Sequence, residues 1–194
     1  MTTHFKLAVL APALLLGGCL SFGSEPPESL LTLTPTATAP AGTGGSSTAD
    51  TAISLVEFQA PAALNVTRVP VQVSDTEIAY LKDAVWVERP ARLFRRLIAE
   101  TIRTRSNRVV VDGDDPGALA TNRLTGTLRQ FGYDARSGSV VVVFDAVRPG
   151  EGSSVETRRF EASVPGVAAD VGSVGPALNR AANDVAGQVA EWVG

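Results

Sequence analysis

The chain has 194 residues, 44% of them hydrophobic, with 17 Lys and Arg against 20 Asp and Glu and a formal charge of −3. That length suits one domain with a packed core, and without a basic excess nothing points to nucleic acid as a partner. One histidine and one cysteine leave little material for imidazole or thiolate chemistry.

The cysteine closes a short apolar run. Residues 1–6 (MTTHFK) carry one lysine, residues 7–16 (LAVLAPALLL) are apolar or proline, and Gly17-Gly18-Cys19 follow. A charged start, a short apolar stretch and small residues before a cut are the layout of a secretory signal peptide. A bilayer-spanning helix needs about 20 apolar residues, so this run is too short to span. Leu16-Gly17-Gly18-Cys19 reads as a bacterial lipobox: small residues admit the processing enzymes, and the thiol becomes a thioether carrying diacylglycerol. The other reading is a free cysteine buried at the end of a core helix, against which the signal-peptide proportions weigh. The lipobox expectation makes 1–18 a leader and Cys19 the lipid attachment point, with acyl chains adding about 0.8 kcal/mol per buried CH₂ to anchoring. Leu20 stands where an aspartate would signal retention in the inner membrane, so the expected address is the periplasmic face of the outer membrane. Loss of 1–18 would also remove His4 and Lys6, leaving 16 cations against 20 acids, a charge of −4. Ser-His-Asp, Cys-His, zinc and haem sites are then excluded by inventory, and no cofactor or metal is expected. Carboxylate-only chemistry survives.

Residues 19–50 are dominated by Pro, Gly, Ser, Thr and Ala and read as a flexible tether, with a short strand at 30–34 (LLTLT) able to dock on the domain. GTGGSS lacks the Gly-Lys-Ser/Thr ending of a phosphate loop and reads as linker. A domain is expected over 51–194. TAISLVEFQ alternates as a strand, APAALN reads as a turn or one helical turn, and RVPVQVS and TEIAYLKDAVWV read as two further strands. Asn65-Val66-Thr67 matches a glycosylation sequon by chance. Pro90 opens a helix with Phe94, Leu97, Ile98 and Ile102 on one face and Arg92, Arg95, Arg96 and Arg103 on the other. NRVVVDGDD is a strand ending in a turn; DGDDPG lacks the spacing and closing glutamate of a calcium loop. ATNRLTGTLRQFGYD, SGSVVVVFDAVRP and VETRRFEASVP predict an antiparallel meander. In the first, Leu124, Gly126 and Leu128 share a face, while the intervening residues alternate less cleanly. Leu178, Ala182, Val185, Val189 and Trp192 predict a closing helix capped by Ser173. The expected fold class is α+β, a mostly antiparallel sheet with two amphipathic helices packed on one face.

LLTLTP after a lipobox, Pro61 to Leu64, Tyr80-Leu81 with Trp86-Val87-Glu88-Arg89-Pro90, and a closing helix ending in Trp192 together resemble the ABC-transport auxiliary lipoprotein family, which includes the C component of the paraquat-inducible (Pqi) system. The resemblance covers roughly residues 30–193, with Tyr80–Pro90 its most specific part. It implies a non-enzymatic lipoprotein at the periplasmic side of the outer membrane. Its implied partners are a mammalian-cell-entry (MCE) domain protein and the inner-membrane ABC transporter, with lipid or another hydrophobic molecule as cargo. Ring-shaped homo-oligomers fit the same picture.

Candidate contact residues are Trp86 and Glu88 beside Pro90, and the stripe Arg92, Arg95, Arg96. Trp and Arg are enriched at interface hot spots, and such a stripe suits anionic headgroups or an acidic partner. The competing readings are a core-filling Trp86 at the strand-to-helix handover and an ordinary solvated helix face. Two other functions stay open. An envelope scaffold, such as an activator of a cell-wall synthase, needs a long tether, and the 31 residues of 20–50 reach on the order of 100 Å when extended. A carboxylate glycosidase needs two acids flanking a groove, whereas the acids here fall mostly in turns or on exposed helix positions.

Overall fold

The computed structural model describes residues 29–106, 108–112 and 120–194. Cys19, the leader and most of the DGDDPG turn lie outside the described residues. In chain order the elements are β1 (Ile53–Leu55), a single 3₁₀ turn (Ala62–Leu64), β2 (Arg68–Gln72), β3 (Ile78–Val85), α1 (Pro90–Arg105), β4 (Val110–Asp112), β5 (Asn122–Asp134), β6 (Ser139–Pro149), β7 (Val155–Val164) and α2 (Val171–Val193). The fold is α+β, with α1 and α2 side by side over one face of a seven-stranded sheet.

The long β5 organises that sheet. One edge pairs antiparallel with β6 from Thr125↔Val147 to Asp134↔Ser139, and β6 pairs antiparallel with β7. The other edge carries two short strands end to end, both parallel to it: β1 against Asn122–Leu124 and β2 against Tyr133–Asp134. Gln59 bridges to Thr127 between them. Outside these, β4 adds parallel to β1 and β3 antiparallel to β2. The long ladders are therefore antiparallel as expected, while three short pairings are parallel. Parallel neighbours need a crossover, and α1 supplies the one between β1 and β4.

The imperfect alternation of β5 has a structural cause. Leu124, Gly126 and Leu128 face the core, and so do Phe131 and Tyr133, which are out of phase with them. A β-bulge lets both sets point inward: the register jumps from Leu128↔Phe144 to Gln130↔Val143, leaving Arg129 as the extra residue. Opposite, Val140, Val142, Phe144 and Ala146 of β6 are fully buried on the core face, and Val143 beside the bulge is buried as well.

Phe94, Leu97, Ile98 and Ile102 of α1 are buried as the helical spacing predicts. Phe94 meets the rings of Phe58, Phe131 and Phe144 at 6.4, 6.1 and 5.4 Å. In α2, Leu178, Ala182, Val185 and Val189 are buried, whereas Trp192 is only half-buried, against Phe160 at 5.6 Å. Its N-cap is Asp170 rather than Ser173. One Asp170 carboxylate oxygen accepts the Ser173 N–H (2.8 Å) and the other accepts its hydroxyl (2.9 Å). A carboxylate three residues earlier satisfies an orphan N–H and complements the positive end of the helix.

Candidate functional site at the strand-to-helix junction

The junction begins with the segment expected as a docking strand. The Leu31 N–H donates to Val85 O (2.7 Å) and the Val87 N–H donates to Leu31 O (2.9 Å), a one-residue parallel bridge at Trp86. The Leu31 side chain lies over α2 at Gly175, where an added Cβ would fall 2.7 Å from Leu31 Cδ2. Further on, the Thr34 N–H donates to Asn179 Oδ1 (2.8 Å) and the Thr36 N–H to Asn183 Oδ1 (2.9 Å). Asn183 Nδ2 returns a bond to Thr34 O (2.9 Å), and the Ala39 N–H donates to Glu100 Oε1 on α1 (2.7 Å). Residues 31–39 thus form a strap fastened to both helices.

Beneath the strap, Trp86 is 1% exposed with its ring 5.5 Å from Phe131. It fills the core where β3 hands over to α1, so it does not belong to a solvent-facing contact set. Pro90 follows as the first helical residue, and Arg89 is an N-cap without a side-chain capping bond. The arginine stripe is also divided. Arg96 Nη2 donates to both oxygens of Glu88 (2.7 and 2.6 Å), and Arg92 Nε lies 3.7 Å from the same carboxylate. The Arg96 hydrogen bond is the main reason the Glu88 carboxyl titrates below its ordinary range, with burial opposing it. Arg95 is 7% exposed and its Nη1 donates to Leu55 O (3.4 Å). It lies inside because the sheet and α2 together cover a wider arc of α1 than the apolar stripe marks out. The junction therefore gathers Glu88, Arg92 and Arg96 at the surface and withdraws Trp86 and Arg95.

A second charged cluster, which no single segment foreshadows, lies on the helix-free face of the sheet. Asp145 accepts from Arg159 Nε and Nη2 (2.6 and 2.8 Å) and from Arg129 Nε (2.8 Å), each from a neighbouring strand. The Arg159 bonds first, and then that of Arg129, hold its carboxyl at about 2 instead of 3.8, against the effect of burial. A carboxylate whose pKa is lower folded than unfolded stabilises the fold above its unfolded value, and the contribution fades as pH falls through the folded one. With screening of these partly exposed groups, Asp145→Asn is expected to lower stability at pH 7 by about 1 kcal/mol. In urea titrations that gap should close between pH 4 and about 2. A gap constant across this window would show that the ion cluster contributes nothing to it.

An apolar cleft of about 120 Å³ lies between the 3₁₀ turn and β5, lined in part by Pro61, Leu64, Pro70, Ile78 and Val141. Its one carboxylate is that of Asp134, held below the ordinary range chiefly by a hydrogen bond from Arg136. It has no second acid for a paired-carboxylate mechanism. Among the described residues, no group of three or more His, Cys, Asp or Glu could hold a metal ion, and no helix is long and apolar enough to cross a membrane.

The fold has solved counterparts. A crystal structure of an uncharacterized protein superposes with a TM-score of 0.64 at 12% identity, covering 86% of this chain and 100% of that one. A crystal structure of a Xanthomonas campestris protein, of the family model DUF330, superposes with a TM-score of 0.68 at 14% identity, covering 84% of this chain and 94% of that one. No curated protein matches significantly by sequence. The family described as the ABC-type transport auxiliary lipoprotein component matches residues 31–190, from the strap to the last turn of α2. The chain belongs to that family of auxiliary lipoproteins of ABC-type transport.

Proposed function

We propose that the protein is a non-enzymatic outer-membrane lipoprotein, anchored through Cys19 on the periplasmic face. There it serves an ABC transporter and an MCE-domain protein that move lipid or another hydrophobic molecule across the periplasm. The observation that carries this reading is the family correspondence over residues 31–190, which makes strap and domain one auxiliary unit. The strap also bears on the alternative, an envelope scaffold or cell-wall synthase activator. With residues 31–39 fastened to the helices, only the 11 residues after Cys19 up to Leu30 remain as spacer. Their extended reach is about 38 Å, against on the order of 100 Å for a free 20–50 segment. A spacer that short favours a partner that comes to the membrane over one beyond it.

Two measurements test the reading together. Radiolabelled palmitate should enter the wild type and not Cys19→Ala. A pull-down from detergent extract, with the chain itself as bait, should recover an MCE-domain protein encoded beside it. Reversing both surface arginines (Arg92→Glu with Arg96→Glu) should slow that association about tenfold at low salt and flatten its salt dependence. Recovery of a cell-wall synthase without any MCE protein would move the assignment to the scaffold reading.

A further inference from the structure

Six large apolar side chains are exposed among the described residues, and they are not scattered. Leu30 (53%), Val66 (37%) and Val87 (48%) gather at one spot. Trp86 and Leu31 are bridged and point inward, so their neighbours Leu30 and Val87 point outward. The β2–β3 register, Arg68↔Val85, carried two residues on, sets Val66 across from Val87. The Trp86 N–H to Thr67 O bond (2.7 Å) holds the two segments together there. Val73 and Ile78 lie at the other end of the same β2–β3 ladder, and only Val155 is on the opposite edge of the sheet, on β7. Exposed Arg68 and Arg89 stand two residues from Val66 and Val87 respectively, and the intervening Glu88 is bonded to Arg96. Apolar side chains fringed by basic ones are the composition of a surface that meets an anionic lipid interface.

We propose that the Leu30, Val66 and Val87 patch rests on the headgroup region of the membrane holding the anchor, so that the β3 edge faces the bilayer and the β7 edge faces away. The proposal rests on the reading of Cys19 as the lipid attachment point. The length of chain outside the structure and the place where it ends argue for it. Leu30 is the eleventh residue after Cys19, and a flexible tether of that length has an end-to-end distance of about 18 Å. A domain of this size is about 40 Å across. The tether therefore holds the patch next to the bilayer and leaves the β7 edge out of reach in most orientations. Because the anchor fixes a high local concentration, a contact too weak to recruit the free domain is enough to orient it.

The test supplies the anchor chemically, so that it separates this proposal from the acylation of Cys19. The chain from residue 19 is coupled through its one thiol to maleimide lipid in phosphatidylethanolamine–phosphatidylglycerol vesicles whose acyl chains are brominated near the headgroups. Val87→Trp and Val155→Trp are compared after subtracting the emission of the parent chain. Bromine should quench the tryptophan of Val87→Trp at least twofold and shift it to the blue, with less than a tenth lost from Val155→Trp. Adding Val66→Glu and Leu30→Glu to Val87→Trp should restore its emission. Equal quenching at both positions, no quenching at Val87→Trp, or quenching indifferent to the glutamates would each overturn the proposal. A blue shift at Val87→Trp only on adding the MCE-domain protein would overturn it in favour of a protein interface. Failure of palmitate labelling in cells would instead overturn the reading of Cys19, whatever the vesicles show.

Discussion

Replacing Trp86 by alanine is expected to lower folding stability by about 3–5 kcal/mol. The side chain is 1% exposed and lies where three segments meet: β3, the strap at Leu31 and the ring of Phe131. The backbone of Leu31 is held by bonds to Val85 and Val87 and cannot shift inward to close the void. The indole Nε1 has no hydrogen-bond partner among the described residues. A buried donor left unsatisfied costs about 1–3 kcal/mol, so Trp86→Phe should lose far less than Trp86→Ala, about 1.5 kcal/mol or under. Trp192 provides the contrast. It is half-buried, with Arg148 4.3 Å above its ring and Phe160 5.6 Å away, and Trp192→Ala should cost about 1–2 kcal/mol. Urea denaturation of the three variants measures the order. If Trp86→Ala lost no more than Trp192→Ala, the handover between β3 and α1 would not be packed as described.

Gly126→Ala is expected to destabilise by about 2–3 kcal/mol, the reverse of what alanine does at an unstrained glycine. Removing a glycine ordinarily stabilises by about 0.4–1 kcal/mol by restricting the unfolded chain. Here an added Cβ would meet the backbone carbonyl of Asp145 and lie 2.6 Å from Phe144 Cζ. The carbonyl belongs to the β5–β6 ladder, and Phe144 is wedged between Phe58 and Phe94, so neither can give way cheaply. Gly44, with nothing within 4 Å of its added Cβ, is the control, and Gly44→Ala should change stability by less than about 0.5 kcal/mol. Equal midpoints for the two variants in denaturant would mean that the β5–β6 pair is looser than its register.

The family resemblance drew on a stretch of chain whose roles divide sharply in space. Of the residues singled out there, Glu88, Arg92 and Arg96 form one surface ion cluster, while Trp86 and Arg95 are interior. Reversing Arg95 as part of a surface stripe would put a carboxylate into the core, and the resulting loss of binding would report unfolding. Arg92 and Arg96 are therefore the informative pair.

Periodicity and local chemistry are enough to place both helices and the long meander. Phe94, Leu97, Ile98 and Ile102 mark one face of α1, and Leu178, Ala182, Val185 and Val189 mark one face of α2, because a helix buried on one side repeats every 3.6 residues. Turn residues between apolar runs gave the β5–β6–β7 meander, since antiparallel neighbours need only a short link. The remaining features depend on how the elements pack. A pattern reports which face of an element is apolar, not how wide an arc its neighbours cover, so Arg95 read as exposed and is buried. Nor does it report partners distant in sequence: that β1 and β2 share one edge of β5, that Asp145 lies between Arg129 and Arg159, and that the strap at 31–39 is fastened to Asn179, Asn183 and Glu100. These contacts join residues whose separation along the chain carries no periodic trace, and they form because each buried apolar face and each unpaired backbone group must find cover once the core has closed.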